Sequence, residues 1–81
     1  MENKFSERLS ELIRNEQITQ KQFASAVHVS QACVTYWLKS ERQPTAEAIF
    51  VISKTFNVSA DYLLGLTDYW LLFLSLFKGK K

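Results

Sequence analysis

Two helix-start signals lie so close together in this chain that its fold has to hold two helices across a very short corner. Thr19 and Gln22 form a T-x-x-Q capping box, in which each side chain satisfies one of the amides that a helix start leaves unpaired. Ser30, another good N-cap, follows the apolar set Phe23, Ala24 and Val27 after only His28 and Val29. One helix is therefore expected over Gln20 to Val27 and the next from Gln31 to about Lys39. With Val34 and Trp37 pointing inward at i and i+3, the residues left facing outward are Gln31, Ala32, Thr35 and Tyr36.

The rest of the chain follows the same grammar. Phe5, Leu9, Leu12 and Ile13 recur at helical spacing and predict a first helix from Asn3 to Asn15. Asn15-Glu16-Gln17 is a polar break, with Ile18 as an apolar anchor. Ser40 to Pro44 reads as a loop, after which Thr45 caps a fourth helix whose first turn carries Glu47, where the helix dipole favours negative charge. Ile49, Ile52, Ser53 and Phe56 mark its buried side, and Asn57 stands where a left-handed residue commonly ends a helix. Ser59 caps a fifth helix with Asp61 in its first turn, Leu63 and Leu64 as core candidates and Gly65 as the stop. Thr67 or Asp68 can cap a sixth, through Phe77. Only two Gly and one Pro serve the 81 residues, too few turn formers for an all-β fold. The expectation is an all-α bundle forming one domain over 1–68, followed by an apolar segment with a basic tail over 69–81.

Composition removes several functions. A single cysteine, Cys33, excludes an internal disulfide and fits a reducing, cytoplasmic setting, and no His or Cys cluster has metal-ligand spacing. No cofactor is implied. The charged N-terminus lacks the apolar stretch of a signal peptide, and the most apolar run, Tyr69 to Phe77, is far shorter than the roughly 17 to 25 residues of a membrane-spanning helix. No nucleophile, base and oxyanion set can be assembled, so an enzyme is not expected. Net charge is +2, yet residues 1–68 carry seven basic against eight acidic residues. The distribution is more informative than the total. Between Thr19 and Pro44 stand Lys21, Lys39 and Arg42 against Glu41 alone.

Short helices with one pair joined by a tight turn form a helix-turn-helix pattern, in which one side of the second helix packs on the core while the other projects into a major groove about 12 Å wide. The outward set is nearly uncharged and includes Gln31, a residue type able to read adenine through two hydrogen bonds. TQKQFA opening the second helix, VSQ opening the third, RQP before the fourth and the closing NVSADYLLG stand in one register. Over Phe5 to Asp68 the chain resembles the Cro/CI-type helix-turn-helix (XRE) family of phage and bacterial repressors, with the lambda repressor-like DNA-binding fold. That resemblance implies a five-helix domain binding double-stranded operator DNA as a two-fold dimer. It implies base contacts from Gln31, Ala32, Thr35 and Tyr36. It also implies phosphate contacts around Gln20, Lys21, Ser30, Lys39, Arg42 and Gln43, with Gln20 clamping a phosphate and buttressing the first residue of the third helix.

The chain departs from the family pattern at His28 and Ser40, which replace glycines in the turns before and after the third helix. Leu38 and Val51 replace commonly polar residues and would be apolar side chains in need of cover. His28 reads as a turn residue rather than a catalytic base, Cys33 as a partly buried thiol rather than a redox sensor, and Trp37 as core rather than a base-stacking ring. Tyr69, Trp70, Leu72, Phe73, Leu76 and Phe77 leave almost no polar face on the tail, which must be covered. Self-association across a dimer axis, folding back over Leu38, Val51 or Tyr62, and interfacial membrane contact aided by Lys78, Lys80 and Lys81 are the options. The expected function is a sequence-specific transcriptional regulator, a repressor acting by occlusion as a homodimer. The rival is an antitoxin-like module whose tail docks a partner protein.

Overall fold

The computed structural model describes residues 4–66, which form five helices: α1 Phe5–Glu16, α2 Gln20–Ala26, α3 Gln31–Leu38, α4 Ala46–Phe56 and α5 Ala60–Leu63. The expected sixth helix and the whole tail segment lie outside the described residues. Four of the five helices start on the expected caps. Thr19 and Gln22 complete a reciprocal capping box, the Thr19 N–H donating to Gln22 Oε1 at 2.8 Å and the Gln22 N–H to Thr19 Oγ1 at 3.0 Å. Ser30, Thr45 and Ser59 accept from the amides of Cys33, Ala48 and Tyr62 at 3.1, 3.0 and 3.3 Å. α1 is the exception: Lys4, at its N-cap, supplies no side-chain bond, and the helix begins at Phe5 rather than Asn3. α2 and α3 each stop one residue earlier than expected, because Val27 and Lys39 are the flanking half-turn residues at which ψ opens to 11° and 1°.

All five helices end alike. Gln17, His28, Ser40 and Asn57 take left-handed φ values of 58, 64, 62 and 57°, and Gly65 takes 84°. The next amide in each case reaches back to close the helix: Ile18 to the Ile13 carbonyl at 3.3 Å, Val29 to Ala24 at 3.0 Å, Glu41 to Tyr36 at 2.9 Å, Val58 to Ser53 at 3.2 Å and Leu66 to Asp61 at 2.8 Å. This is the Schellman closure, which satisfies carbonyls otherwise orphaned at a helix end. Four of these ends lack the glycine that adopts positive φ without a Cβ penalty.

The core gathers Phe5, Leu9 and Leu12 from α1, Phe23 from α2, Val34 and Trp37 from α3 and Ile52 from α4. Val58, Tyr62 and Leu63 close its far side. Phe5 meets the Trp37 ring edge-on at 5.7 Å between centroids, and Phe23 stacks on Phe56 at 5.1 Å. Leu38 and Val51 are half-buried against this core. Leu64 is not a core residue but exposed. Leu64 is the C-cap, just past the end of α5, and the buried face of the helix is already formed by Tyr62 and Leu63.

Tyr62 also binds α5 to α1 through polar atoms. Its hydroxyl donates to Glu11 Oε1 at 2.5 Å while the Arg8 guanidinium lies 4.3 Å over its ring. Burial, and then the hydrogen bond to Glu11, hold the phenol above its ordinary ionisation range, with Arg8 pulling the other way.

Candidate nucleic-acid interface

The placement of α3 begins at the α2 end. The His28 N–H donates to the Ser25 carbonyl at 3.3 Å, and the following Val29 turns inward to half-burial against the core. The Ser30 side chain then starts α3, with Val34 and Trp37 buried beneath it. Gln31 and Ala32 are exposed, Thr35 is half-buried and Tyr36 is 40% exposed, so the outward set expected from helical spacing does share one side of α3. Residues four apart, Gln31 with Thr35 and Ala32 with Tyr36, stand one above the other on that side.

Gln20 lies at the first position of α2 and is exposed. The Thr35 hydroxyl donates to its Oε1 at 3.3 Å and shares its proton with the Gln31 carbonyl at 3.1 Å. Gln20 therefore buttresses α3 one turn further along than expected, at Thr35 instead of Gln31. The physical reason is that Thr35 is β-branched and short: its hydroxyl turns back toward its own helix, where it meets both acceptors, whereas the Gln31 side chain projects to solvent. With its carbonyl engaged, Gln20 still has an amide NH2 with which to donate. Ser30 is likewise occupied, as the α3 cap.

The basic residues frame this face. Lys21 is exposed beside Gln20, Lys39 caps the C-terminal end of α3, and Arg42 and Gln43 are exposed in the loop that follows. Arg42 folds back, its guanidinium carbon lying 4.7 Å over the centre of the Tyr36 ring. Two features of the site have no precursor in residue spacing. One is this arginine–tyrosine contact. The other is Ser6 of α1, whose hydroxyl donates to the Trp37 carbonyl at 3.0 Å and pairs with the Ser40 hydroxyl at 2.5 Å, fastening the end of α3 to α1. A serine between two core positions of a helix carries no signal of such a role. The Ser40 position, where the family pattern expects glycine, does hint that the chain reverses there and returns Arg42 toward Tyr36.

Behind the α2–α3 corner, Val27, His28 and Val29 face Thr45, Glu47, Ala48 and Val51 across a cleft of about 330 Å³. Cys33 is half-buried against the core. Among the described residues no group of three or more His, Cys, Asp or Glu could hold a metal ion, and no helix is long and apolar enough to cross a membrane.

A helix-turn-helix family model matches residues 9–63, from the middle of α1 to the end of α5. The chain is 34% identical over 61 residues to the HTH-type transcriptional activator BcrR of Enterococcus faecalis, a match that covers 75% of this chain and 30% of that protein. It therefore spans less than a third of that relative. Among solved structures, the P22 c2 repressor in complex with a synthetic operator superposes with a TM-score of 0.72 at 30% identity, covering 78% of this chain and 96% of the other. A transcriptional regulator from Listeria innocua superposes with a TM-score of 0.75 at 27% identity, over 96% of this chain and 73% of that one. Five short helices, a four-residue corner between α2 and α3 and a match running through all of them place the chain in the Cro/CI-type (XRE) helix-turn-helix family of DNA-binding transcriptional regulators.

Proposed function

We propose that this chain is a sequence-specific DNA-binding regulator that acts as a repressor, binding a palindromic operator in the cytoplasm as a homodimer. The observation that carries the reading is the division of α3: Val34 and Trp37 are buried, and the nearly uncharged opposite side is framed by Gln20, Lys21, Lys39 and Arg42. A face of that kind suits a helix seated in a major groove, with hydrogen-bonding groups for base edges at its centre and cations or amides for phosphates at its margin. Gln31, Ala32 and Thr35 make the base contacts, Gln31 through paired hydrogen bonds and the other two through methyl groups that suit thymine. Gln20, Lys21, Ser30, Lys39, Arg42 and Gln43 set the register on the backbone. Occlusion of a promoter requires nothing beyond tight, specific binding, which favours repression as the mode of action. The segment from Tyr69 to Phe77, with Trp70, Leu72, Phe73 and Leu76, joins the two copies.

Selection of bound duplexes from a randomised pool at moderate salt tests this reading. The expected product is a two-fold symmetric site with half-sites about 34 Å apart, one helical turn. A single enriched half-site would remove the dimer from the proposal, and absence of enrichment would remove sequence-specific binding. Placed across a promoter, the selected site should lower transcription when the protein is present. A rise would align the chain with its activator relative.

A further inference from the structure

Tyr36 and Arg42 are brought together by the backbone rather than by neighbouring positions on a helix. Ser40 takes the left-handed conformation, the Glu41 amide returns to the Tyr36 carbonyl at 2.9 Å, and the chain reverses so that Arg42 passes back over the last turn of α3. The guanidinium carbon then lies 4.7 Å from the ring centre, within the range where a cation is attracted to an aromatic face. The reversal is itself fastened, because the Ser40 hydroxyl pairs with that of Ser6 on α1 at 2.5 Å. Both rigid parts of this arrangement, the turn and the ring, act on one long cationic side chain.

A guanidinium resting on a ring has one face covered, while its N–H groups lie in the plane around its edge and keep their donors. An arginine on an unsupported loop samples many rotamers and must give them up to grip an anion. One that is seated beforehand loses less on binding. The geometry points to Tyr36 as a positioning residue whose ring seats Arg42 and presents its planar fork to a DNA phosphate at the end of α3, rather than as a reader of bases. This inference rests on the duplex binding proposed above and changes the role that the family resemblance implies for Tyr36.

The two roles separate under substitution. Tyr36→Phe keeps the ring and removes the hydroxyl, so a seat predicts affinity, salt dependence and base preferences within about twofold of the unsubstituted chain. Tyr36→Ala removes the seat and should weaken all duplexes alike, by about three- to fivefold. Arg42→Ala should lower the slope of log affinity against log salt by about one phosphate contact. Tyr36→Ala added to Arg42→Ala should then cost nothing further. These are measured by salt titrations of the full chain on its selected duplex and on single-base variants of it, with thermal melts confirming that each variant folds. A changed base preference in Tyr36→Phe, or a Tyr36→Ala loss that persists without Arg42, overturns the seat while leaving DNA binding intact. No salt-dependent duplex binding by the unsubstituted chain overturns the functional reading, and the seat with it.

Discussion

The turns on either side of α3 use the same backbone device and anchor it in opposite ways. Before α3, His28 takes the left-handed position and the next residue, Val29, packs against the core while the His28 side chain is exposed. After α3, Ser40 takes it, the next residue is the exposed Glu41, and the anchoring passes to the Ser40 hydroxyl and its partner Ser6. Beyond the backbone bonds that close both helices, the first turn is thus anchored by the burial of Val29 and the second by the hydroxyl of Ser40. Apolar packing tolerates small shifts, whereas hydrogen bonds weaken steeply with geometry. The end of α3, which carries Tyr36 and Arg42, is the more exactingly placed of the two.

Four substitutions test that contrast. The largest effect is expected from Trp37→Ala, which removes the buried ring packed against Phe5 next to the carbonyl that receives both the Ser40 amide and the Ser6 hydroxyl. It should cost about 3–5 kcal/mol in urea unfolding, enough to loosen both turns together. Ser6→Ala attacks the second turn alone and should cost about 1 kcal/mol, since a donor to the Trp37 carbonyl and a partner of Ser40 are lost at once. The glycine pair gives the sharpest comparison. His28→Gly relieves a left-handed residue and should raise stability by about 0.5–1 kcal/mol after the greater freedom of glycine in the unfolded chain is counted. Ser40→Gly gains the same relief but forfeits the bond to Ser6, so its net effect should be close to zero. Equal gains from both would show that the hydroxyl pair holds nothing.

A contact away from both turns gives the smallest effect and serves as a control. Burial and the bond to Glu11 raise the Tyr62 ionisation in the folded chain above its ordinary value of 10.0, so the folded state holds that proton more tightly than the unfolded one. The resulting stability is fully present below about pH 10 and is lost as pH rises through the folded value. Tyr62→Phe should therefore show a shallower fall in melting temperature between pH 9 and 11, with the difference between His28→Gly and Ser40→Gly unchanged at neutral pH.

Much of this architecture was legible from local chemistry. Thr19, Ser30, Thr45 and Ser59 announce their helices because capping depends on a side chain and an amide two or three residues away. Asn57 and Gly65 announce helix ends for a similar reason, as residue types that accept positive φ. Gln17 does not, since glutamine has no such preference and only the inward pull of Ile18 explains it. Helical spacing also sorted α3 into a buried and an exposed side. What spacing could not supply were contacts that depend on how helices cross: Gln20 meeting Thr35 instead of Gln31, Ser6 reaching the end of α3, and Arg42 returning over Tyr36. The exposure of Leu64 belongs with these, because two adjacent leucines look equivalent until a neighbouring element decides which one faces inward.

The separation of duties along α3 has an evolutionary consequence. Ser30 starts the helix, Val34 and Trp37 root it, and Gln31 and Ala32 contribute neither a cap nor a buried side chain. Substitutions confined to those exposed positions leave the scaffold's free energy almost untouched, since surface changes away from caps and cores usually fall within about 0.5 kcal/mol. Copies of this gene could therefore diverge at a few codons and come to prefer new DNA sites, each intermediate still a well-folded protein.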